Sequence, residues 1–211
     1  MPLKLQSSGG GSVTLDVPST ASTFTATVPA NTGTLVTTGS TAAVTPAMLT
    51  QPLTLATAQN CANQTGIDFT GIPSWVRRIT VMFSGVSFNA TANPILRIGD
   101  SGGIETTGYA SISGFTGSTA SAGALASTTS FNFNQNWVSE TAFHGAVVLS
   151  LLNASTNTWV ASGTLYTASN LDYSLVIAGS KSLSATLDRV QFTSTGGTTF
   201  DAGSINIMYE G

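Results

Sequence analysis

Residues 75–83 read WVRRITVMF and residues 142–152 read AFHGAVVLSLL. In the first stretch Ile79, Val81 and Phe83 recur at every second position, which places them on one face of a strand. The second is nearly continuous in its apolar character, the pattern of a strand buried in a sandwich. Working outward, strands are expected at 94–98, where Ile95 and Arg97 share one face and Leu96 and Ile98 the other, and at 158–166, 172–178, 187–193 and 204–209. Turn residues separate them: Asp100-Ser101-Gly102-Gly103, residues 153–157, Gly179-Ser180 and Gly196-Gly197. Short strands at this spacing, with no convincing amphipathic helix, predict an all-β chain built on an antiparallel β-sandwich or jelly roll. Residues 113–130 are Ser, Gly, Ala and Thr with little else and are read as a long surface loop.

The other end of the chain has a different character. Residues 11–40 read GSVTLDVPSTASTFTATVPANTGTLVTTGS, with two short alternating runs, Val13-Leu15-Val17 and Phe24-Ala26-Val28, each ended by a proline, Pro18 and Pro29. A third extended run, Leu35-Val36, follows the Asn31-Thr32-Gly33 turn. Each run is too short to bury its apolar face within one chain, so the segment is expected to dock on a partner, most simply on identical copies of itself. Val13, Leu15, Val17, Phe24, Val28 and Leu35 are the candidate anchoring or trimer-contact residues. A single helical turn is expected at Thr45-Pro46-Ala47-Met48-Leu49-Thr50, capped by Thr45, started by Pro46 and limited by Pro52. We place the division near residue 60, with 1–60 an extended N-terminal arm and connector and 61–211 the sandwich.

Composition narrows the functional classes. Charged residues are 7% of the chain, against about 25% in ordinary globular proteins, while hydrophobic residues are 41%, enough for a core. The net charge of -3 contains no basic cluster beyond Arg77-Arg78, which argues against nucleic acid as a partner, since phosphate binding needs several cations acting together. One cysteine, Cys61, excludes an intrachain disulfide framework and reads as a small buried hydrophobe. No stretch is long and apolar enough to suggest membrane insertion, and the start, MPLKLQSSGGG, does not read as a secretory signal, so synthesis in the cytoplasm is expected.

The most eye-catching motif is Gly99-Asp100-Ser101-Gly102-Gly103, which matches the nucleophile motif of chymotrypsin-like serine proteases. Proteolysis also needs a histidine base and an orienting aspartate. The single histidine, His144, follows the serine rather than preceding it, Ile104 stands where that family usually has proline, and the family's paired cysteines are missing. The motif is therefore expected to be a turn, with no catalytic residue and no cofactor in the chain. His144 has no neighbouring Cys or second His to build a zinc site, so no metal ligand is assigned. Acidic residues are scattered singly; Asp100 and Glu105 are the pair able to converge, as a glycosidase or a calcium site would require. Asn63-Gln64-Thr65, Asn89-Ala90-Thr91 and Asn153-Ala154-Ser155 match the glycosylation sequon and are read as turn composition. Trp75 and Trp159, placed in strands, are assigned to packing, whereas polar-flanked Trp137 is the candidate receptor-contact residue.

Two regions resemble tailed-bacteriophage fibre and virion proteins. The match rests on Gly11 to Leu15, on Val28-Pro29-Ala30-Asn31-Thr32-Gly33-Thr34-Leu35-Val36-Thr37-Thr38, and on residues 71–83 and 200–207. The resemblance implies a structural protein of the virion, made in the host bacterial cytoplasm, often a homotrimer, whose N-terminal arm attaches to capsid or tail proteins. Two roles fit: a short head or tail fibre whose sandwich binds a host cell-surface glycan, or a capsid decoration protein that seals subunit junctions. A serine hydrolase is the third reading.

Overall fold

The alternating Ile79-Val81-Phe83 run lies in an interior strand of the largest of three sheets, and that strand continues to Phe88. The computed structural model describes residues 3–6, 8–10, 12–15, 51–118, 122–133, 137–139, 141–168 and 172–211. The chain forms two units, Met1–Ala43 and Val44–Gly211. In the first, β1 (Leu3–Gln6) pairs antiparallel with β2 (Ser12–Leu15), Leu3 opposite Leu15 and Gln6 opposite Ser12. Val13 and Leu15 stand in β2; Val17, Phe24, Val28, Leu35 and the helical turn expected at 45–50 lie outside the described residues.

The second unit contains β3 (Thr54–Leu55), β4 (Gln59–Asn60), β5 (Gly66–Thr70), β6 (Arg78–Phe88), β7 (Pro94–Asp100), β8 (Gly103–Ile104), β9 (Tyr109–Gly117) and β10 (Ala122–Ser127). It continues with β11 (Phe131–Asn132), β12 (Ala142–Asn153), β13 (Thr158–Ala168), β14 (Tyr173–Ser182), β15 (Leu187–Ser194) and β16 (Phe200–Glu210). The larger sheet runs β10-β9-β14-β13-β12-β6-β16-β3, with β4 also on β16; the smaller runs β11-β7-β15-β5, with β8 on β7. Every pairing is antiparallel, no helix occurs among the described residues, and the unit is an antiparallel β-sandwich.

Period-two alternation feeds the core from both sheets. Phe143, Val147 and Leu149 of β12, Trp159, Ala161 and Leu165 of β13, and Leu175 and Ile177 of β14 all turn inward and are buried. The smaller sheet answers with Phe192, whose ring centroid lies 4.9 Å from Phe83, 5.0 Å from Phe133 and 5.7 Å from Phe200. Such edge-to-face and offset aromatic pairs contribute about 0.5–1.5 kcal/mol each beyond their area. One local device shapes the larger sheet. Where β16 slips register against β6 near Ala202, Gly203 has φ +91, and a Cβ there would lie 2.5 Å from the Val86 Cα and against the Gly85 carbonyl. Only glycine closes this bulge.

Three expectations change. Within the 113–130 stretch expected to be a loop, residues 113–117 belong to β9 and residues 122–127 form β10, which pairs with β9 at one edge of the larger sheet. Between the inward-facing Tyr109 and Phe115 stand two inward serines made tolerable by hydrogen bonds: the Ser111 hydroxyl donates to Ser130 O (2.6 Å), and Ser113 pairs with the Asn132 side chain. A strand that buries satisfied hydroxyls leaves no hydrophobic alternation to read. Trp75 lies in the turn before β6, its ring 5.9 Å from Tyr209. The connector before residue 61 belongs to the sandwich: β3 and β4 pair with β16, and Ala56 N–H donates to Ile207 O (2.9 Å).

Candidate functional site

Gly99–Gly103 closes the tight β7–β8 hairpin, with Gly99 opposite Ile104 and Asp100 opposite Gly103. A Cβ on Gly99 would sit 2.8 Å from the Ile104 Cα, so the close crossing requires glycine. Asp100 is buried, and its carboxylate accepts from the Gly102 N–H (2.7 Å) and the Ser184 hydroxyl (2.6 Å). Glu105 accepts from the Ser184 N–H (2.7 Å) and forms an ion pair with Lys181, itself only 5% exposed. The Lys181 ammonium also donates to Ser182 O (2.7 Å) and lies 5.5 Å from the centre of the Tyr109 ring. The Tyr109 hydroxyl in turn accepts from the Ile98 N–H (3.0 Å) and donates to Glu105 O (3.0 Å).

The two carboxylates thus converge, but on Ser184. Hydrogen bonds from Ser184 and Gly102 hold Asp100 below the usual carboxylate range. Burial pushes Glu105 up, yet the bonds from Lys181 and Ser184 outweigh it and leave the group below its ordinary value. Burial raises the Tyr109 phenol to about 12. At neutral pH both acids are therefore anions engaged with donors, an arrangement that clasps the chain at Ser184 to the β7–β8 hairpin. Ser101 is exposed at the tip of that hairpin, while His144 stands on β12 of the other sheet, its Nδ1 accepting from the Gly85 N–H (3.3 Å). Among the described residues no group of three His, Cys, Asp or Glu side chains gathers as a metal site would require.

Trp137 corrects the receptor-contact assignment. It is 7% exposed and packs against Phe115 (5.6 Å between ring centres), Tyr173 (5.5 Å) and Phe143 (5.7 Å). Its indole N–H donates to Phe133 O, and its backbone exchanges two hydrogen bonds with Ala92 (2.9 and 3.0 Å). A polar-flanked indole reached the interior because its single donor found a carbonyl there.

The surface left for recognition is the outer face of the larger sheet. β9, β10, β12, β13 and β14 contain one residue among Asp, Glu, Lys and Arg, the buried Lys181. One cross-strand row reads Ala126-Ile112-Ala178-Ser162-Val148-Thr80. Ile112 and Val176 are about half exposed, and the ion pair Arg78–Glu210 (3.3 Å) stands at the β6–β16 margin. Two rows along the same face, His144 stands opposite Tyr166, the two rings 6.0 Å apart, with the Tyr166 hydroxyl donating to Asp172 Oδ1 (2.8 Å). Tyr166 is the exposed aromatic that reading for tryptophan missed. Its parity against Trp159 was the available signal: seven positions on, it must face the opposite side of the same strand. Comparison with protein families, curated proteins and solved structures finds no match to this chain.

Proposed function

We propose that the chain is a structural protein of a tailed-bacteriophage virion: a short homotrimeric head or tail fibre, anchored by its N-terminal arm and presenting the β-sandwich to the host surface. The observation that carries the reading is the likeness of residues 11–15 and 28–38 to virion attachment segments, in a unit, Met1–Ala43, separate from the sandwich. Self-association has support in the sandwich as well. The edge strand β10 reads AGALAS, without the charges or proline by which sheet edges commonly avoid pairing. The outward-facing side chains of β9, β10, β12, β13 and β14 carry no charge and can meet another subunit without burying an unpaired one. The same face favours a second reading, a capsid decoration protein lying across subunit junctions.

On either reading the chain is not an enzyme, and Ser101→Ala leaves every function intact. The experiment is removal of residues 1–43, followed by sedimentation with purified particles and light scattering. The truncated chain should fold and lose particle attachment, while the full-length chain should show trimeric mass. Undiminished attachment would refute the anchor, and a monodisperse full-length monomer would refute the trimer.

A further inference from the structure

Building on the fibre reading, we propose that the row His144–Tyr166–Ser174–Thr116, closed by Asp172, binds an uncharged pyranose sugar on the outer face of the larger sheet. Strand register assembles the row: His144 faces Tyr166, Tyr166 faces Ser174, and Ser174 faces Thr116. Four adjacent strands span about 14 Å at the usual strand spacing, room for two linked sugar rings.

The chemistry along that span suits such a ligand. Among the described residues Tyr166 is the one aromatic side chain that is largely exposed, at 47%. Its ring is tilted 32° to the imidazole beside it, and together they form a shallow platform. Sugar C–H groups carry slight positive charge and pack on the electron-rich face of such rings. Asp172 holds the phenol through Oδ1 and leaves Oδ2 to accept a sugar hydroxyl, a charge-assisted bond. Because His144 Nδ1 accepts from Gly85, the proton of the neutral ring sits on Nε2, where it can donate. The bond to Asp172 also raises the Tyr166 pKa, so the phenol stays protonated.

An open hollow of about 660 Å³ lies over these groups, with Gly145 and Leu165 also in its lining. Among the described residues its lining contains no Lys or Arg, and the one carboxylate there is Asp172. A sugar acid would meet repulsion without a compensating cation, so the site selects neutral sugars.

Saturation-transfer NMR on the full chain tests this with lactose, maltose, cellobiose, N,N′-diacetylchitobiose and α-1,6-mannobiose, and with 3′-sialyllactose as the acidic arm. At least one neutral disaccharide should receive saturation on the C–H protons of one ring face. Tyr166→Ala should weaken that binding by about tenfold or more, as loss of an aromatic anchor does. Asp172→Asn should weaken it several-fold, and Thr80→Ala, two rows away, should leave it unchanged. Circular dichroism and the unfolding midpoint of Tyr166→Ala should match the parent, since the ring is outside the core. Absence of saturation on all five neutral sugars, unchanged binding by Tyr166→Ala, or tighter binding of 3′-sialyllactose than of lactose would overturn the site. Immunogold labelling of particles separates the two proposals: labelled virions without sugar binding overturn this site and leave the fibre reading standing.

Discussion

Replacing Trp137 by alanine distinguishes a core residue from a receptor contact. The indole is 7% exposed, touches three aromatic rings at centre distances of 5.5 to 5.7 Å and donates to Phe133 O. Truncating a buried Trp costs about 3–5 kcal/mol through lost transfer energy and the cavity left behind. Within that sum, stranding the Phe133 carbonyl accounts for about 1–3 kcal/mol. Trp137→Phe keeps a ring but loses the donor, so it should cost roughly the latter amount alone. Urea unfolding followed by circular dichroism measures both, and for a chain of this size the alanine variant should melt on the order of 10 °C lower. An alanine variant with the parental midpoint but impaired host adsorption would refute the packing account. So would equal losses for phenylalanine and alanine, which would leave the cavity without energetic weight.

Gly203→Ala should destabilise by more than the ordinary helix or strand penalty, because its Cβ would press on the Val86 Cα at 2.5 Å; thermal unfolding reads it. Asp100 and Glu105 both have folded pKa values below their ordinary ones, so their contribution is complete above the unfolded values of about 4 and disappears as pH falls through the folded ones. Urea midpoints should drop with acid in that window, and Asp100→Asn with Glu105→Gln should flatten the slope. Cys61 is fully buried and its thiol is raised to about 11, so Ellman's reagent should react only after unfolding; prompt stoichiometric reaction at pH 8 would contradict its placement. Ser101→Ala, at an exposed hairpin tip, should change stability by less than about 0.5 kcal/mol.

The sandwich was legible wherever apolar residues alternate or run together. Residues 79–83, 142–152 and 187–193 carry their burial in their side chains, and β6, β12 and β15 lie there. The β9–β10 hairpin was not legible, because Ser111 and Ser113 enter the core through hydrogen bonds that composition does not reveal. The fate of Gly99–Gly103 was read correctly as a turn, yet the clasp behind it depends on Ser184, some 80 positions away, which local spacing cannot identify. Trp137 and Tyr166 show where the legible signal lies. Polar neighbours in sequence say little about a residue in an irregular segment, whereas parity within a regular strand decides which face a side chain takes.

The short strands β3 and β4 also set how the sandwich responds to load. A pull transmitted from the N-terminal segment first meets two pairings of two residues each on β16, well before the long β6–β16 ladder. They can peel one after the other while the core stays folded. Peeling stops at Cys61, whose side chain is wholly enclosed and whose N–H is tied to Gly203 O (3.0 Å). Residues 51–60 freed in this way span at most about 35 Å when fully extended. On the fibre reading, this edge of the sheet would yield to tension before the core does.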